Sequence, residues 1–332
     1  MSTSIKPPHL EPRDTIGLVS PSFPVTGRGL DALERGIQAL EAQGFKVKVG
    51  EHATNRIGYL AGHDCDRAQD INRFFADLTV KGIIGILGGT NSNRLLPFLN
   101  WDTIQYNPKV FCGHSDITVL NLAIHVHTGL VTFDGPNLIG QWGIAPYPYT
   151  INHFYHICGH VEPLGPLSPP AQIMRSVQYD ESVNRDSMEP HPGWRWLKPG
   201  YAQGRLIGGH LGSTLLLAGT PYWPTFKQKI WFWEELGGSL RWVDRFLTHA
   251  REIGVLGEIA GMIVGHCLID EEPTTTQTLE DVILEHTLPY SFPILMNVDC
   301  GHLNPRLTMP NGVLATLDAR NNLFSIDEPA VC

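Results

Sequence analysis

The hydrophobic positions in the first half of the chain follow two alternating periods. Short apolar runs typical of buried strands occupy 15–20, 83–87, 110–112 and 130–133, and residues 45–49 alternate between apolar and polar with the period of two that a strand shows. Between them apolar residues recur at helical spacing, as in Leu30, Leu33, Ile37 and Leu40 before Gly44. Strands that alternate with helices predict a doubly wound, mostly parallel sheet.

The pattern changes in the second half of the chain. Residues 163–199 are rich in proline and turn formers, which indicates a linker with an irregular insertion. Its two tryptophans, Trp194 and Trp196, fit either packing at the surface or a lid that stacks on an aromatic group. Strand and helix signals then resume at 205–208, 213–217, 230–233, 240–250 and 259–264. We therefore predict an N-terminal α/β domain over 1–162, a linker and lid over 163–199, and a second, smaller α/β domain with a mixed sheet over 200–332.

Composition excludes several classes of protein. The 332 residues carry 24 Lys and Arg against 33 Asp and Glu, a net charge of −9, so no basic stripe for nucleic acid is expected. No apolar run approaches the roughly 20 residues that span a bilayer, and the first residues do not read as a signal peptide. The 6 cysteines are scattered, which favours free thiols in a reducing cytoplasm.

One apolar strand leads directly into a serine. Gly113, His114 and Ser115 follow 110–112, and a helical segment comes next. A serine on a sharp strand-to-helix turn is exposed beside backbone N–H groups that can hold an oxyanion, as in a nucleophile elbow. Ile117 stands where the usual motif has its second glycine, so a simple helix cap at this turn is the open alternative.

Three other segments carry weaker chemical signals. Gly88 and Gly89 end a strand, which fits an anion cradle or an ordinary tight turn. Glu234 and Glu235 end another strand and can orient a histidine, although carboxylates at strand ends are usually only solvated. His302 lies in a turn-rich segment, where a lone histidine is more often structural than catalytic.

Metal binding has little support in the sequence. His153, His156 and His160 share a helical spacing, and His125 and His127 form another pair, but no HExxH or CxxC motif accompanies them. We expect neither a metal nor a cofactor.

Taken in order, these segments resemble the LD-carboxypeptidase family of serine peptidases. The matching stretches are 14–22, 88–97, 113–118, 230–235, 301–302 and 307–312, so the resemblance extends over nearly the whole chain. Within the family, residues 91–97 and the tryptophan-bearing insertion are similar to the branch of microcin C self-immunity proteins.

The resemblance implies a Ser-Glu-His triad in an interdomain cleft. Ser115 corresponds to the nucleophile, His302 to the general base and acid, and Glu234 to the carboxylate that orients His302. Glu234 is preferred to Glu235 because the family's glutamate is the first of an acidic pair.

The rest of the expected site surrounds this triad. The backbone N–H groups of Gly89 and Asp116 are the expected oxyanion hole, since both lie on glycine-adjacent turns that lead into helices. The side chains expected to contact substrate are Asn91, Trp194, Trp196 and His210.

Two departures from the microcin branch concern the phosphate of a nucleotide. His210 stands where the branch has an asparagine, and Gly237 and Gly238 lie in the stretch where it has a lysine. These replacements leave open whether phosphate is recognised.

The sequence thus predicts a cytoplasmic serine hydrolase that cleaves an amide bond of a peptidyl- or aminoacyl-nucleotide of the microcin C type through an acyl-enzyme. Cleavage of a murein tetrapeptide by an L,D-carboxypeptidase is the alternative substrate class. A non-catalytic ligand-binding protein on the same scaffold is the alternative of another class. The expected partner is a small peptide-like substrate, not a membrane, and the family implies a homodimer.

Overall fold

Strands and helices alternate through the first half of the chain, as the hydrophobic pattern predicts. The computed structural model describes residues 4–27, 29–144, 146–174, 188–270 and 276–332. The first strands are β1 (Thr15–Val19), β2 (Lys46–Val49), β3 (Val80–Gly85), β4 (Val110–Gly113) and β5 (Thr132–Asp134). The helices are α1 (Gly29–Ala42), α2 (Asp64–Ala76), α3 (Trp101–Tyr106), α4 (Thr118–Thr128) and α5 (Pro148–Gly159), with 3-10 segments at Ser92–Phe98 and Ser115–Ile117 and a π-helical segment at Leu138–Ile144.

The second half is richer in strands. They are β6 (Gly165–Pro166), β7 (Gln172–Met174), β8 (Met188–Pro190), β9 (Arg195–Lys198), β10 (Tyr201–His210), β11 (Lys229–Glu234), β12 (Leu236–Ser239), β13 (Gly261–Gly265), β14 (Leu268–Asp270), β15 (Ile294–Val298), β16 (Met309–Asn311), β17 (Leu314–Asp318) and β18 (Leu323–Ile326). The helices are α6 (Leu211–Leu215), α7 (Leu240–Glu252), α8 (Val255–Glu258) and α9 (Leu279–Thr287).

The first sheet is the parallel, doubly wound sheet that the sequence predicts. Its strands lie in the order β2-β1-β3-β4-β5-β16; the first five are parallel, and β16 at the edge is antiparallel. Both faces are covered, because neighbouring residues of β3 belong to different cores: Ile84 lies in the core that contains Leu33 of α1, and Ile83 lies in the core that contains Phe75 of α2. Strands buried on both faces need continuous apolar residues, which is the pattern of the central strands, whereas the edge strand β2 is mostly exposed and alternates.

The second sheet is mixed, also as predicted. Its order is β6-β18-β17-β10-β11-β13-β15-β9, with a parallel centre formed by β10, β11, β13 and β15. Strand β9 pairs antiparallel with β15 at one edge, so residues 195–198 belong to this sheet. The described ends of the insertion pair with each other as β7 and β8, while residues 175–187 of the expected lid lie outside the described residues.

After β15 the chain leaves the second sheet and adds a strand to the first, which the sequence pattern does not reveal. Strand β16 follows β15 in the chain but pairs antiparallel with β5, at the edge of the first sheet. The loop 299–308 therefore crosses from the second sheet to the first, and it carries His302. This crossing places the histidine between the two sheets.

Candidate active site

Ser115 occupies a sharp turn at the carboxyl end of β4. Its backbone φ is +67°, in the left-handed region that non-glycine residues rarely adopt, and a residue held there stores of the order of 1–3 kcal/mol. A Cβ on Gly88 would lie 2.8 Å from the Cβ of Ser115, so only glycine allows the loop after β3 to pass this close. The turn predicted from the sequence is present, with the serine beside a glycine loop.

Glu234 and His302 form a buried hydrogen-bonded pair. Glu234 is the last residue of β11, and its Oε2 lies 2.8 Å from Nδ1 of His302; both side chains are at most 4% exposed. Gly301 makes the approach possible, because a Cβ there would lie 2.9 Å from Cγ of Glu234. With the Nδ1 proton donated to Glu234, Nε2 of His302 presents a lone pair, as a general base requires.

The charge on Glu234 suits this role. Burial raises the pKa of Glu234, but the neighbouring His302, His210 and Arg306 outweigh it and lower the pKa below its ordinary value. The carboxylate is therefore ionised at neutral pH and stabilises a positive charge on His302.

The ring of His302 lies near the turn that carries the serine. The ring of His114, the residue before Ser115, is 5.2 Å from the ring of His302. Nε2 of His302 is buried and has no hydrogen-bond partner among the described residues, so it makes no bond to Ser115 Oγ here. Catalytic hydrogen bonds are often long without substrate and shorten in the complex.

Asp116 connects the loops that surround the serine. Its Oδ2 accepts hydrogen bonds from Ser22 Oγ at 2.5 Å and from the Ser92 N–H at 2.8 Å, and its carbonyl accepts one from Ser92 Oγ at 2.7 Å. These loops follow β1, β3 and β4, whose carboxyl ends meet at one edge of the sheet. The sequence suggested for Asp116 only a backbone oxyanion donor or a helix cap, and no motif indicated that its side chain joins these loops.

A cavity of about 560 Å³ opens next to Ser115. It lies at the switch point of the sheet, between the loops after β1 and β3, where open α/β sheets bind ligands. Gly89 lines it, with φ +137° and with Phe23 packed where its Cβ would be. Of the two predicted oxyanion donors, Gly89 lines the same cavity as Ser115, and Asp116 follows the serine in the chain.

The cavity also contains side chains that sequence reasoning missed. Arg56 and Tyr59 line it from the loop between β2 and α2, and Leu236 lines it from the second half of the chain. Arg56 is exposed and its Nε donates to the carbonyl of Gly58. No motif marks this loop, so only its position in space reveals it.

Of the four predicted substrate contacts, three lie outside the lining of this cavity and one, His210, lies beside His302. Asn91 begins the 3-10 segment at Ser92–Phe98 with φ +70°. Trp194 Nε1 donates to Asp299 Oδ2 at 2.8 Å, and Trp196 Nε1 donates to Asn322 Oδ1 at 2.9 Å. Asn91, Trp194 and Trp196 are not among the described residues that line the 560 Å³ cavity.

His210 lies next to the triad. It pairs with Glu234 in the sheet register, and its ring is 5.7 Å from that of His302. Its Nε2 is 3.0 Å from Oε1 of Glu235, and its Nδ1 is 2.9 Å from Ser213 Oγ. Burial lowers the pKa of His210, but the hydrogen bond to Glu235 and the nearby carboxylates outweigh it and raise the pKa above its ordinary value.

Three possible metal ligands come together at a place that does not involve the histidine series 153, 156 and 160 considered in the sequence. In the described part of the chain, His191, His266 and Asp299 place three ligand atoms within 4.8 Å of one another. Within the same residues, no helix is both long enough and apolar enough to cross a membrane.

Comparison of the whole sequence identifies relatives. The profile of the LD-carboxypeptidase N-terminal domain matches residues 16–135, and the profile of the C-terminal domain matches residues 203–317. The chain is 31% identical to the microcin C7 self-immunity protein MccF of Escherichia coli, over 95% of this chain and 93% of that protein. It is 30% identical to a probable murein peptide carboxypeptidase of Bacillus subtilis strain 168, over 98% of this chain and 95% of that protein.

Solved structures agree with the sequence relatives. MccF in complex with aspartyl sulfamoyl adenosine has a TM-score of 0.92 at 29% identity, covering 99% of this chain and 100% of that one. A tryptophan-to-phenylalanine mutant of MccF in complex with adenosine monophosphate has a TM-score of 0.93, with the same identity and coverage. The fold and the family predicted from the ordered motifs are both confirmed. The chain belongs to the LD-carboxypeptidase family, peptidase family S66.

Proposed function

We propose that the protein is a serine hydrolase that cleaves an amide bond through an acyl-enzyme on Ser115. The observation that carries this proposal is the buried hydrogen bond between Glu234 and His302. Nε2 of His302 has no hydrogen-bond partner among the described residues, and the ring of His302 lies beside the turn of Ser115. A serine hydroxyl is a weak nucleophile until a histidine accepts its proton, and a carboxylate fixes the tautomer of that histidine.

The reaction follows from these roles. His302 Nε2 takes the proton of Ser115 as Oγ attacks the substrate carbonyl, and the N–H groups of Gly89 and Asp116 hold the oxyanion. His302 then gives the proton to the leaving amine, and a water that it activates hydrolyses the ester on Ser115. Glu234 stabilises the cationic form of His302 throughout.

We further propose an aminoacyl- or peptidyl-nucleotide of the microcin type as the substrate. The cavity beside Ser115 offers a cation, Arg56, and an exposed aromatic ring, Tyr59, which suit an anionic group and a base. His210 adds positive charge beside His302, where the microcin branch has an asparagine. Trp194, Trp196 and Asn91 remain proposed contacts for the parts of the substrate that extend beyond this cavity.

A murein tetrapeptide is the second candidate substrate. Arg56 can equally pair with the carboxylate of a peptide end, and one relative is named a probable murein peptide carboxypeptidase. A homodimer in the cytoplasm, with the domain boundaries 1–162, 163–199 and 200–332, completes the proposal.

Turnover of two substrates tests this function. We expect aspartyl sulfamoyl adenosine to be cleaved with a kcat/KM at least tenfold above that for the murein tetrapeptide, and Ser115→Ala to cleave neither. The reverse ranking would assign the enzyme to murein peptides. Binding of either compound without turnover by the wild-type protein would contradict a hydrolase and favour a ligand-binding protein.

A further inference from the structure

Asp299 is a buried carboxylate three residues before His302, directly after β15. Both of its oxygens accept hydrogen bonds from the end of the insertion. His191 Nε2 lies 2.9 Å from Oδ1, and Trp194 Nε1 lies 2.8 Å from Oδ2. The side chains of His191 and Asp299 are only 2% and 0% exposed, so these bonds are shielded from water.

The direction of the His191 bond follows from its other nitrogen. The Gly193 N–H donates to His191 Nδ1 at 2.8 Å, so Nδ1 is unprotonated. The ring proton of neutral His191 is therefore on Nε2, where it is donated to Asp299. Two donors from residues 191–194 converge on the two oxygens of one carboxylate.

The other described end of the insertion contacts the same loop beyond His302. The Met174 N–H donates to the carbonyl of Asn304 at 2.8 Å, and the two residues form a β-bridge. The two ends of the insertion are one unit, because β7 pairs with β8 and the His191 N–H donates to the carbonyl of Ala171. This unit thus holds the His302 loop on both sides of the histidine.

We propose that Asp299 is a positioning residue through which the insertion sets the place of the general base. The inference rests on the proposed role of His302. The loop closes on itself where the Leu307 N–H donates to the carbonyl of Asp299 at 2.6 Å, so a shift of Asp299 moves the whole loop. Glu234 fixes the orientation of the His302 ring, and the insertion fixes the loop that carries it.

The nearby His266 raises the alternative of a bound cation. Its Nε2 is 3.3 Å from His191 Nε2 and 3.7 Å from Asp299 Oδ1. A metal on His191 Nε2 would require the ring proton to move to Nδ1, where it would face the Gly193 N–H. The hydrogen bonds present therefore favour positioning over metal binding.

The rate at which a small probe reacts with Ser115 tests whether the insertion positions His302 or only covers the substrate. Diisopropyl fluorophosphate phosphorylates an activated serine and is too small to need a substrate lid. We expect Asp299→Ala to slow phosphorylation of Ser115 at least tenfold and to lower kcat for the amide substrate in parallel. Asp299→Asn, which keeps one acceptor oxygen, should give an intermediate rate.

The control is Asp318→Ala, in the turn after β17. Its carboxylate also accepts two hydrogen bonds, from the Arg320 N–H and from Asn321 Nδ2, and its phosphorylation rate should stay within twofold of wild type. If Asp299→Ala does not fold, Trp194→Phe removes only one donor and should slow phosphorylation two- to fivefold.

Two results would overturn the inference, and a third would contradict the proposed function. A wild-type phosphorylation rate in Asp299→Ala or in Trp194→Phe, with a raised KM, would mean that the insertion acts on the substrate alone. A rate that changes on addition of a chelator or of Zn²⁺ would assign the cluster to a cation. Failure of the wild-type protein to be phosphorylated at Ser115 would instead contradict the proposed function.

Discussion

Ser115 and its immediate neighbours show how individual residues shape the proposed nucleophile. The left-handed φ of Ser115 turns its side chain into the cavity, and Gly88 leaves room for it. A strand, a glycine and a serine in sequence predicted this turn. They could not predict the contact with Gly88, because it joins two loops that are separate in the chain.

Substitution of Gly88 by alanine should impair activity without unfolding the protein. The added Cβ would lie 2.8 Å from the Cβ of Ser115 and 3.0 Å from its Oγ, so the nucleophile must move. A displacement of a reacting group by about 1 Å lowers the rate on the order of a hundredfold, and we expect kcat/KM to fall by that factor. Gly140→Ala is the control, since its Cβ meets nothing within 4 Å. Equal activity of the two variants would contradict the close packing described here.

The two adjacent glutamates provide a matched pair for testing the triad. Glu234→Gln removes the charge beside His302 and should lower kcat by about 10³–10⁴, the size of effect seen when the carboxylate of such a triad is made neutral. Glu235 contacts His210 and the Gly212 N–H instead, so Glu235→Gln should lower kcat far less. Steady-state kinetics on the cleaved substrate check this, and the opposite order would move the catalytic carboxylate to Glu235.

At the scale of elements, the site is built where the carboxyl ends of β1, β3 and β4 meet. The order of helices and strands was predictable from hydrophobic period, because β1, β3, β4 and β5 are buried throughout apart from one residue of β3, and the exposed edge strand β2 alternates between polar and apolar residues. The loops that complete the site were not, because Arg56 and Tyr59 lie in a segment without periodicity.

Asp116 should be the residue on which these loops depend most. Asp116→Ala removes hydrogen bonds from Ser22 Oγ and the Ser92 N–H, and the loss of such bonds to a charged group should lower the free energy of unfolding by about 2–4 kcal/mol. Ser22→Ala removes one donor and should cost about 1 kcal/mol. Urea unfolding measures both. A smaller loss for Asp116→Ala than for Ser22→Ala would mean that Asp116 does not hold the loops.

At the scale of the whole molecule, the two sheets are joined by the chain segment that carries His302. Strand β16 is three residues long and contains a proline, so no sequence pattern marks it as a strand, and its partner β5 is remote in the chain. The buried pair of Arg306 and Asp134 adds a second link between this segment and β5. The sequence therefore predicted two α/β halves but not the shared edge that brings Ser115 and His302 together.

Two half-buried histidines, His125 and His153, should make the stability of the molecule depend on pH. Burial lowers the pKa of His125 to about 4 and that of His153 to about 4, from an ordinary value of 6.5. The unfolded chain therefore binds protons before the folded protein does, and stability is lost as the pH falls from about 6.5 to 4. Urea midpoints should decrease over this range, and the decrease should be smaller in His125→Gln. Constant midpoints would contradict the burial of these rings in neutral form.

The most direct test of the proposed mechanism is to identify the residue that a fluorophosphonate modifies. Peptide mass spectrometry of the treated protein should place a single adduct on Ser115, with no adduct in Ser115→Ala or in protein unfolded before treatment. An adduct on another residue, or amide-bond turnover that persists in Ser115→Ala, would contradict the triad of Ser115, Glu234 and His302.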